Sequence, residues 1–269
     1  MTSLHILGSG SRGNCIAVTC EGATLLVDAG FSARETARRA AVAGVALESV
    51  IGIAITHEHS DHVTGAPILA RKLGVPVLTA PGTWSAVRHE FKTTTRHTPL
   101  GLSATVELGP FTIHAAPTSH DAAEPIALAV HCASGERIGI AHDLGRMTAG
   151  VRLLLRELSA LVFESNHDEI RLRTCGYPPS VQARIACSTG HLSNRAAAEA
   201  LADLSHPGLG TVVLAHLSEK SNDPGEALKA VRPALRRTRF SGEIRVALQD
   251  EPLAPIRVRE PERQMMLGL

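Results

Sequence analysis

One short segment limits what this chain can fold into more than any other feature. The letters HEHSDH occupy residues 57–62 and come directly after an apolar run at residues 50–55. An apolar run of that length is typical of a buried strand, so the segment is expected at the carboxyl end of a strand. Three imidazoles and a neighbouring carboxylate are too polar to be buried without partners. The segment therefore predicts a binding site at the edge of a sheet.

The side chains of this segment suit a metal ion. Because alternate side chains of a loop after a strand point the same way, His57 and His59 can hold one ion. Asp61 and His62 can turn to a second ion as a helix begins. Nitrogen and oxygen donors of this kind suit Zn²⁺, Mn²⁺ or Fe²⁺. A solvated histidine-rich loop is the plain structural alternative, and the density of ligand groups disfavours it.

Three residues elsewhere have the same context, since each follows a predicted strand: His120, Asp143 and His216. Taken singly, each is more often a loop residue or a hydrogen-bonded core residue than a ligand. Two ions need more than the three or four ligands of a mononuclear site. Together with the first segment, the three residues are therefore predicted as ligands. His142 is expected to point away from the metals, because it precedes Asp143 on an extended backbone.

The composition narrows the setting. There are 27 Lys and Arg residues against 26 Asp and Glu, a net charge of +1, so no strong field draws the chain to nucleic acid or membrane. The five cysteines form no Cys-x-x-Cys pair, and aromatic residues make only 3%. These counts disfavour a disulfide scaffold, a cysteine zinc finger and an aromatic base-stacking sheet. No long apolar run or secretory signal is present, so we expect a cytoplasmic protein without membrane association.

Strand and helix patterns alternate along the chain without an internal repeat or a low-complexity linker. This alternation predicts a single α/β domain over residues 1–248 and a peripheral C-terminal tail over residues 249–269. The predicted strands cover residues 2–7, 15–20, 24–28, 50–55, 75–79, 111–115, 126–132, 137–141, 160–163 and 211–215. The predicted helices cover residues 32–43, 63–73, 146–158, 193–204 and 224–237.

Taken in order, these motifs resemble those of the metallo-β-lactamase-fold hydrolases. The resemblance implies a four-layer αββα sandwich with the metals at one edge, where the strands end. Asp28 matches an aspartate of that family that supports the metal ligands from behind. The ligand sets that the resemblance implies are His57, His59 and His120 for the first ion, Asp61, His62 and His216 for the second, and Asp143 as the bridge.

Two later motifs narrow the resemblance. Glu164 ends a predicted strand, and His191 lies in the segment TGHLSN, residues 189–194. Both are similar to motifs of tRNase Z and RNase J relatives. The resemblance implies that His191 gives a proton to the leaving oxygen while Glu164 orients its ring. Only 73 residues (216 − 143) separate Asp143 from His216, which leaves no room for the large inserted domain of the RNase J type.

The order of all these motifs is most similar to the YycJ/WalJ-like group, whose members are regarded as DNA exonucleases acting from 5′ ends. The glycine-rich segment LGSGSRGN, residues 7–14, belongs to that pattern, with Arg12 where a small residue is expected. Backbone N–H groups of such a loop can bind phosphate, although a plain tight turn is an equal alternative. The predicted substrate-binding residues are Ser11, Asn14, Asn166 and His167.

The sequence thus predicts a phosphodiesterase with two divalent ions, Zn²⁺ or Mn²⁺, with Fe²⁺ also compatible. A water shared by two such ions has its pKa lowered toward about 7 and can attack phosphorus. Asp61 would take up the proton of that water as well as bind metal. DNA is the expected substrate and RNA a possible one, and no protein partner is indicated. The alternatives are a small-molecule ester, lactone or thioester hydrolase, an RNA-processing nuclease, and a non-catalytic metal-binding regulator.

Overall fold

The fold places two mixed sheets face to face, with helices on both outer surfaces. The computed structural model describes residues 1–101 and 104–259. The first half of the chain forms strands β1 (Thr2–Gly8), β2 (Cys15–Cys20), β3 (Ala23–Val27), β4 (Val50–Ile55), β5 (Val77–Thr79) and β6 (His97–Pro99). The second half forms β7 (Thr105–Leu108), β8 (Phe111–Pro117), β9 (Ile126–Cys132), β10 (Arg137–Ala141), β11 (Ala160–Glu164), β12 (Thr211–Ala215), β13 (Glu243–Val246) and β14 (Ile256–Val258).

The helices follow the same division. Those of the first half are α1 (Ala33–Val42), α2 (Ser60–Val63), α3 (Ala66–Leu73) and α4 (Pro81–Val87), with short 3₁₀ turns at Leu47–Ser49 and Arg88–Glu90. Those of the second half are α5 (Ala149–Leu154), α6 (Glu169–Thr174), α7 (Pro179–Ala186), α8 (Asn194–Leu204) and α9 (Pro224–Leu235).

The two sheets have the same plan of strand pairing. The first runs β14-β1-β2-β3-β4-β5-β6 and the second runs β7-β8-β9-β10-β11-β12-β13. In each, the first three pairings are antiparallel and the last three are parallel. The carboxyl ends of the parallel strands therefore meet at one edge of each sheet, which is where ligand sites form in such folds.

Three hydrophobic clusters hold the four layers together. The central cluster lies between the sheets and includes Leu4 and Ile16 of the first and Leu128 and Ile140 of the second. A second cluster joins the first sheet to α1, α3 and α4. A third joins the second sheet to α5, α8 and α9. This arrangement is the predicted αββα sandwich, and because burial of apolar area is the main stabilising term, the sheets and helices form one unit.

Two predicted helices differ from those in the structure. The helix predicted over residues 63–73 is interrupted between α2 and α3, because the backbone of Gly65 approaches that of Phe31 so closely that a Cβ there would clash with its carbonyl oxygen. The helix predicted over residues 146–158 is shorter, since Thr148 caps it by accepting a hydrogen bond from Val151 N at 3.1 Å. By contrast, Ser32 caps α1 as predicted, accepting a hydrogen bond from Glu35 N.

The predicted tail contains a strand. β14 pairs antiparallel with β1, with Thr2 opposite Val258. The division of the chain at residue 248 stays a prediction, and residues 260–269 of the predicted tail lie outside the described part. Within residues 1–101 and 104–259, none of the helices combines the length and apolar character that crossing a bilayer requires.

Candidate metal centre

The predicted ligands meet at the carboxyl edge of the two sheets. His216 lies directly after β12, while His57 and Asp143 follow β4 and β10 after one intervening residue each. His120 comes from the loop after β8, and Glu164 is the last residue of β11. The sandwich thus brings together residues that are up to 159 positions apart (216 − 57).

The first group comprises His57, His59 and His120. His57 Nε2 lies 3.1 Å from His59 Nδ1, and His120 Nε2 lies 3.3 Å from the same atom. Burial lowers the pKa of His57 well below its usual range and also lowers the pKa of His120. Both rings are therefore neutral, which is the form that binds metal.

The second group comprises Asp61, His62 and His216. Asp61 Oδ2 lies 3.3 Å from His62 Nε2 and 3.4 Å from His216 Nε2. Burial raises the pKa of Asp61, but the two histidines lower it by more, so the carboxylate stays ionised. This group again offers nitrogen and oxygen donors around one point.

Asp143 lies between the two groups. Its Oδ2 is 3.1 Å from His62 Nε2, and its Oδ1 is 3.8 Å from His120 Nε2. Burial raises the pKa of Asp143, yet His216 and His62 lower it well below its usual range. The side chain is an ionised carboxylate in contact with both groups, the position that a bridging ligand requires.

These side chains fit divalent metal ions. Within each group of three, the ligand atoms all lie within 4.8 Å of one another. Converging imidazole nitrogens that share few protons, together with buried carboxylates, are costly to bury unless a cation joins them. The donor set suits Zn²⁺, Mn²⁺ or Fe²⁺. The site therefore has the chemistry of divalent metal binding.

Asp28 supports the ligands from behind. It is fully buried and its Oδ1 accepts a hydrogen bond from Thr56 N at 2.8 Å. Its Oδ2 lies 2.8 Å from His62 Nδ1, which donates to it. Because that proton sits on Nδ1, Nε2 of His62 is left for a metal. His120 is oriented similarly, since its Nδ1 donates to Gly190 O at 3.0 Å.

Three residues of the centre have a left-handed backbone. Asp28, Asp143 and His216 have φ angles of 58°, 57° and 55°. For residues other than glycine this conformation costs about 1–3 kcal/mol, and it concentrates at functional sites. In all three residues this turn of the backbone comes within two residues of the end of a strand.

The left-handed turn at Asp143 also corrects the prediction for His142. Alternation on an extended backbone predicted that His142 points away from the centre. Because the backbone turns at Asp143, the His142 ring instead lies 3.3 Å from Asp28 Oδ2 and 3.3 Å from Asp143 Oδ2. It is buried behind the ligands and contacts both carboxylates.

Glu164 and His191 form a hydrogen-bonded pair at the rim of the centre. His191 Nδ1 donates to Glu164 Oε1 at 2.7 Å and lies 3.2 Å from Asp143 Oδ1. Glu164 is fully buried, and its Oε2 accepts hydrogen bonds from the backbone N of Leu144 and Leu192. Burial lowers the pKa of His191, but Glu164 and Asp143 raise it well above its usual value. The ring therefore carries a proton, and Nε2 is the atom left for a substrate.

Three of the four predicted substrate-binding residues are buried, and their contact with substrate stays a prediction. Asn14 accepts hydrogen bonds from Ser9 Oγ and Gly10 N and donates to Gly10 O, so it braces the glycine-rich loop. Asn166 donates to His216 O at 2.8 Å and positions that ligand. His167 is 3% exposed. Ser11 is exposed and lines the cleft over the centre.

The cleft has a volume of about 390 Å³ and contains a wall that the sequence did not indicate. The predicted ligands form its floor. Its other lining residues include Tyr177, Val181, Arg184 and Ile185, which come from α7 and the turn before it. No motif marks them, and the one signal is that Tyr177 is the single tyrosine of the sequence. Arg12 is also exposed, but it pairs with Glu219 and Asp250.

Comparison with known proteins agrees with this geometry. A family model described as a Beta-lactamase superfamily domain matches residues 23–217. Exodeoxyribonuclease YycJ of Bacillus anthracis is 34% identical over 257 residues, which cover 94% of this chain and 97% of that protein. Exodeoxyribonuclease WalJ of Streptococcus pneumoniae is 30% identical over 222 residues, which cover 81% of this chain and 82% of that protein.

Solved structures share the fold. The metallo-beta-lactamase fold protein YhfI of Bacillus subtilis superposes with a TM-score of 0.70 at 18% identity, covering 94% of this chain and 99% of that one. Human tRNase Z, short form, has a TM-score of 0.64 at 16% identity and covers 94% of this chain and 98% of that one. At such low identity these matches establish the fold alone.

Proposed function

The chain belongs to the beta-lactamase superfamily, and we propose that it is a binuclear metal-dependent phosphodiesterase that degrades DNA from 5′ ends in the cytoplasm. Family, fold and relatives identify a metal-dependent hydrolase. The relatives named exodeoxyribonuclease support DNA as the substrate and a strand end as the point of attack. The 5′ direction rests on the resemblance to the YycJ/WalJ-like group.

The observation that carries the proposal is the pair formed by His191 and Glu164. Hydrolysis of a phosphodiester expels a sugar alkoxide, which is a poor leaving group unless it receives a proton. His191 Nδ1 lies 2.7 Å from Oε1 of the buried Glu164, and the protonated ring lines the same cleft as the predicted ligands. A positioned acid of this kind contributes about 10²–10⁴-fold to the rate. Small esters with good leaving groups do not need it.

Two ions, Zn²⁺ or Mn²⁺, would be held by the two three-residue groups with Asp143 between them. When bound, they supply positive charge for the phosphoryl oxygens and a water of lowered pKa. Asp61 Oδ2 remains ionised and 19% of its side chain is exposed to the cleft. It can therefore accept the proton of the attacking water. His191 Nε2 then delivers a proton to the departing oxygen, and Glu164 keeps the ring oriented.

The first test measures degradation of end-labelled DNA duplexes, single-stranded DNA and RNA by protein loaded with Mn²⁺ or Zn²⁺, alongside its metal content. Stepwise loss of nucleotides from 5′ ends, absent in Asp143→Ala, is the expected result. Preference for RNA would keep the chemistry and replace the substrate. If the protein binds two metal ions but cleaves no nucleic acid, the result would contradict the nuclease and favour a small-ester hydrolase.

A second test isolates the acid. His191→Ala should lower kcat on DNA by about 10²–10⁴-fold and leave metal content unchanged. On thymidine 5′-p-nitrophenyl phosphate the loss should be far smaller, because nitrophenolate departs without a proton. His89→Ala removes an exposed histidine outside the centre and is the matched control. An equal loss of kcat on both substrates would show that His191 is not the proton donor to the leaving group.

A further inference from the structure

We infer that Tyr177, Val181 and Ile185 form a wall that binds the terminal nucleobase of a DNA strand, with Tyr177 stacking on the base. This inference rests on the proposed function and adds a subsite to it. These three residues are called the α7 wall below. They line the same cleft as His59, Asp61 and His191, so a nucleotide whose phosphate lies over the ligands has its base within reach of them.

The α7 wall is an apolar surface without a structural role in the core. Val181 and Ile185 are four positions apart and share one face of α7, with Tyr177 just before that helix. A helix with an apolar face normally buries it against the core. Yet no residue of α7 is buried, and none of its apolar side chains belongs to any of the three hydrophobic clusters. This face opens on the cleft instead.

The composition of the wall matches a nucleobase with its phosphate. An aromatic ring offers a stacking surface to any base, and a nearby cation serves the backbone. The Nζ of Lys220 lies 5.0 Å from the centroid of the Tyr177 ring. Lys220 is exposed and follows the loop that carries His216. The ammonium group thus stands beside a ring that lines the cleft, and the predicted metal ligands form the floor of that cleft.

The wall is fixed relative to the reacting groups. Ile185 O accepts a hydrogen bond from the backbone N of His191 at 2.9 Å. Arg184 Nε donates to Asp121 Oδ2 at 2.8 Å, which ties α7 to the residue after His120. A Cβ at Gly190 would clash with the carbonyl oxygens of Arg184 and Ile185, so the loop before His191 packs directly on the end of α7. The wall and the loop that carries His191 therefore keep a fixed spacing.

Photocrosslinking tests the contact without requiring cleavage. The full chain, loaded with Mn²⁺, is irradiated with oligodeoxynucleotides that carry 5-iododeoxyuridine at the 5′ or the 3′ end and hydrolysis-resistant phosphorothioate linkages. We expect an adduct on the peptide containing Tyr177 for one of the two ends, and its loss in Tyr177→Leu. Ile170→Ala removes an exposed apolar side chain outside the cleft and should leave the adduct unchanged. An adduct elsewhere, or none, would overturn the inference.

Kinetics give a second readout. Loss of a stacked base should raise KM about tenfold in Tyr177→Leu while kcat stays within about twofold. Tyr177→Phe should restore KM, since stacking needs the ring and not the hydroxyl. A strand ending in an abasic nucleotide should show no difference between wild type and Tyr177→Leu. Equal KM values for wild type and Tyr177→Leu on the normal strand would overturn the inference.

The outcomes separate this inference from the proposed function. A Tyr177 adduct without any cleavage would support the wall and refute the nuclease. Cleavage with neither a Tyr177 adduct nor a KM effect would support the nuclease and refute the wall. Absence of adduct, effect and cleavage would refute both.

Discussion

The two halves of the molecule share one plan of strand pairing but contribute to the metal centre in different ways. In each half the fourth strand of the sheet order, β3 or β10, leads into a left-handed aspartate. In the first half this is Asp28, which hydrogen-bonds Thr56 and His62. In the second half it is Asp143, which contacts ligands of both groups. The same backbone turn supplies a buried carboxylate twice, and its neighbours decide whether we propose it as a metal ligand or as the support of one.

The predicted ligands also differ between the two halves in their distance along the chain. The first half gives His57, His59, Asp61 and His62 from one loop after β4. The second half gives His120, Asp143 and His216 from three separate loops. Local structure alone can bring together the four residues of one loop. The three residues on separate loops come together only when the strands of the second sheet pair in the right register.

The largest expected effect on metal binding and activity comes from replacing each of the two left-handed aspartates by asparagine. Asn tolerates the left-handed backbone, so Asp28→Asn and Asp143→Asn should both fold. Asp28→Asn should weaken metal binding by about 10- to 100-fold, as the loss of an outer partner does. Asp143→Asn should abolish binding of two ions and lower activity further than Asp28→Asn does. Metal content and kcat measured in parallel check this.

A comparable loss in both variants would contradict the distinction between a ligand and its support. Asp250→Asn offers a matched control, because that carboxylate is exposed and pairs with Arg12 away from the ligands. We expect it to keep full metal content.

The next largest effect is on the free energy of unfolding, and it concerns Gly30 and Gly190, where a second backbone segment lies too close for a side chain. Gly30 N donates to Asn14 O at 2.9 Å, and a Cβ there would clash with the backbone of Asp61. Gly30→Ala in the buried first half should lower the free energy of unfolding by about 3 kcal/mol. Gly190→Ala should lower it by about 2 kcal/mol, because its Cβ would clash with the backbone carbonyl oxygens of Arg184 and Ile185 in the exposed helix α7. Gly150→Ala adds a methyl group with room around it in α5 and is the control for urea unfolding.

Metal removal should affect both halves together. Each three-residue group takes two ligands from the first half and one from the second. Metal at 100 times its dissociation constant should stabilise the fold by about 2.7 kcal/mol. Hydrogen exchange with and without chelator should then change at residues 57–62 and at His216 alike. A change confined to residues 57–62 would mean that the contiguous loop binds metal alone.

The smallest expected effect is on the pH dependence of stability, and it comes from a difference between β2 in the first sheet and β9 in the second. Thr19 of β2 pairs with Ser3 and Thr24, whereas His131 of β9 pairs with Thr112 and Arg137. Burial, together with His114 and Arg137, lowers the pKa of His131 from 6.5 to about 4. As pH falls from 6.5 toward 4, the unfolded chain takes up this proton first, so the folded state loses stability in that window.

His131→Thr, which copies the residue of the first half, should remove this loss. We expect about 1 kcal/mol or less at pH near 5, since His131 is only half-buried, and no pH-linked effect above pH 6.5. Urea midpoints at both pH values measure it. The same pH dependence in wild type and His131→Thr would exclude His131 as the source, with His89→Thr as the control.

Sequence patterns predicted most of the sandwich because its central strands are buried runs with sharp limits. Four central strands have the predicted bounds: residues 50–55, 126–132, 137–141 and 211–215. Short half-exposed strands such as β6, β7 and β13 carry no such pattern, and their pairing comes from the neighbouring strand. The residues of the candidate centre could be predicted where they form a dense motif, as in residues 57–62, or follow a clear strand pattern. The burial of Asn14 and Asn166 was not predictable, because the sequence does not distinguish a buried hydrogen-bonding residue from an exposed one. The place of Tyr177 in the cleft depends on α7, which no sequence pattern indicated.

The pairing of β14 with β1 has a consequence in time. Ribosomes deliver β1 first, yet its outer edge stays open until residues 256–258 emerge. The loop after β1 waits as well, since Ser9 N donates to Leu248 O and Gln249 Nε2 donates to Gly13 O. That loop in turn holds His216 through Ser9 Oγ. A growing chain therefore cannot complete the support of His216 until residues 248–258 have been made, so this edge of the centre is assembled late in synthesis although β1 is made early.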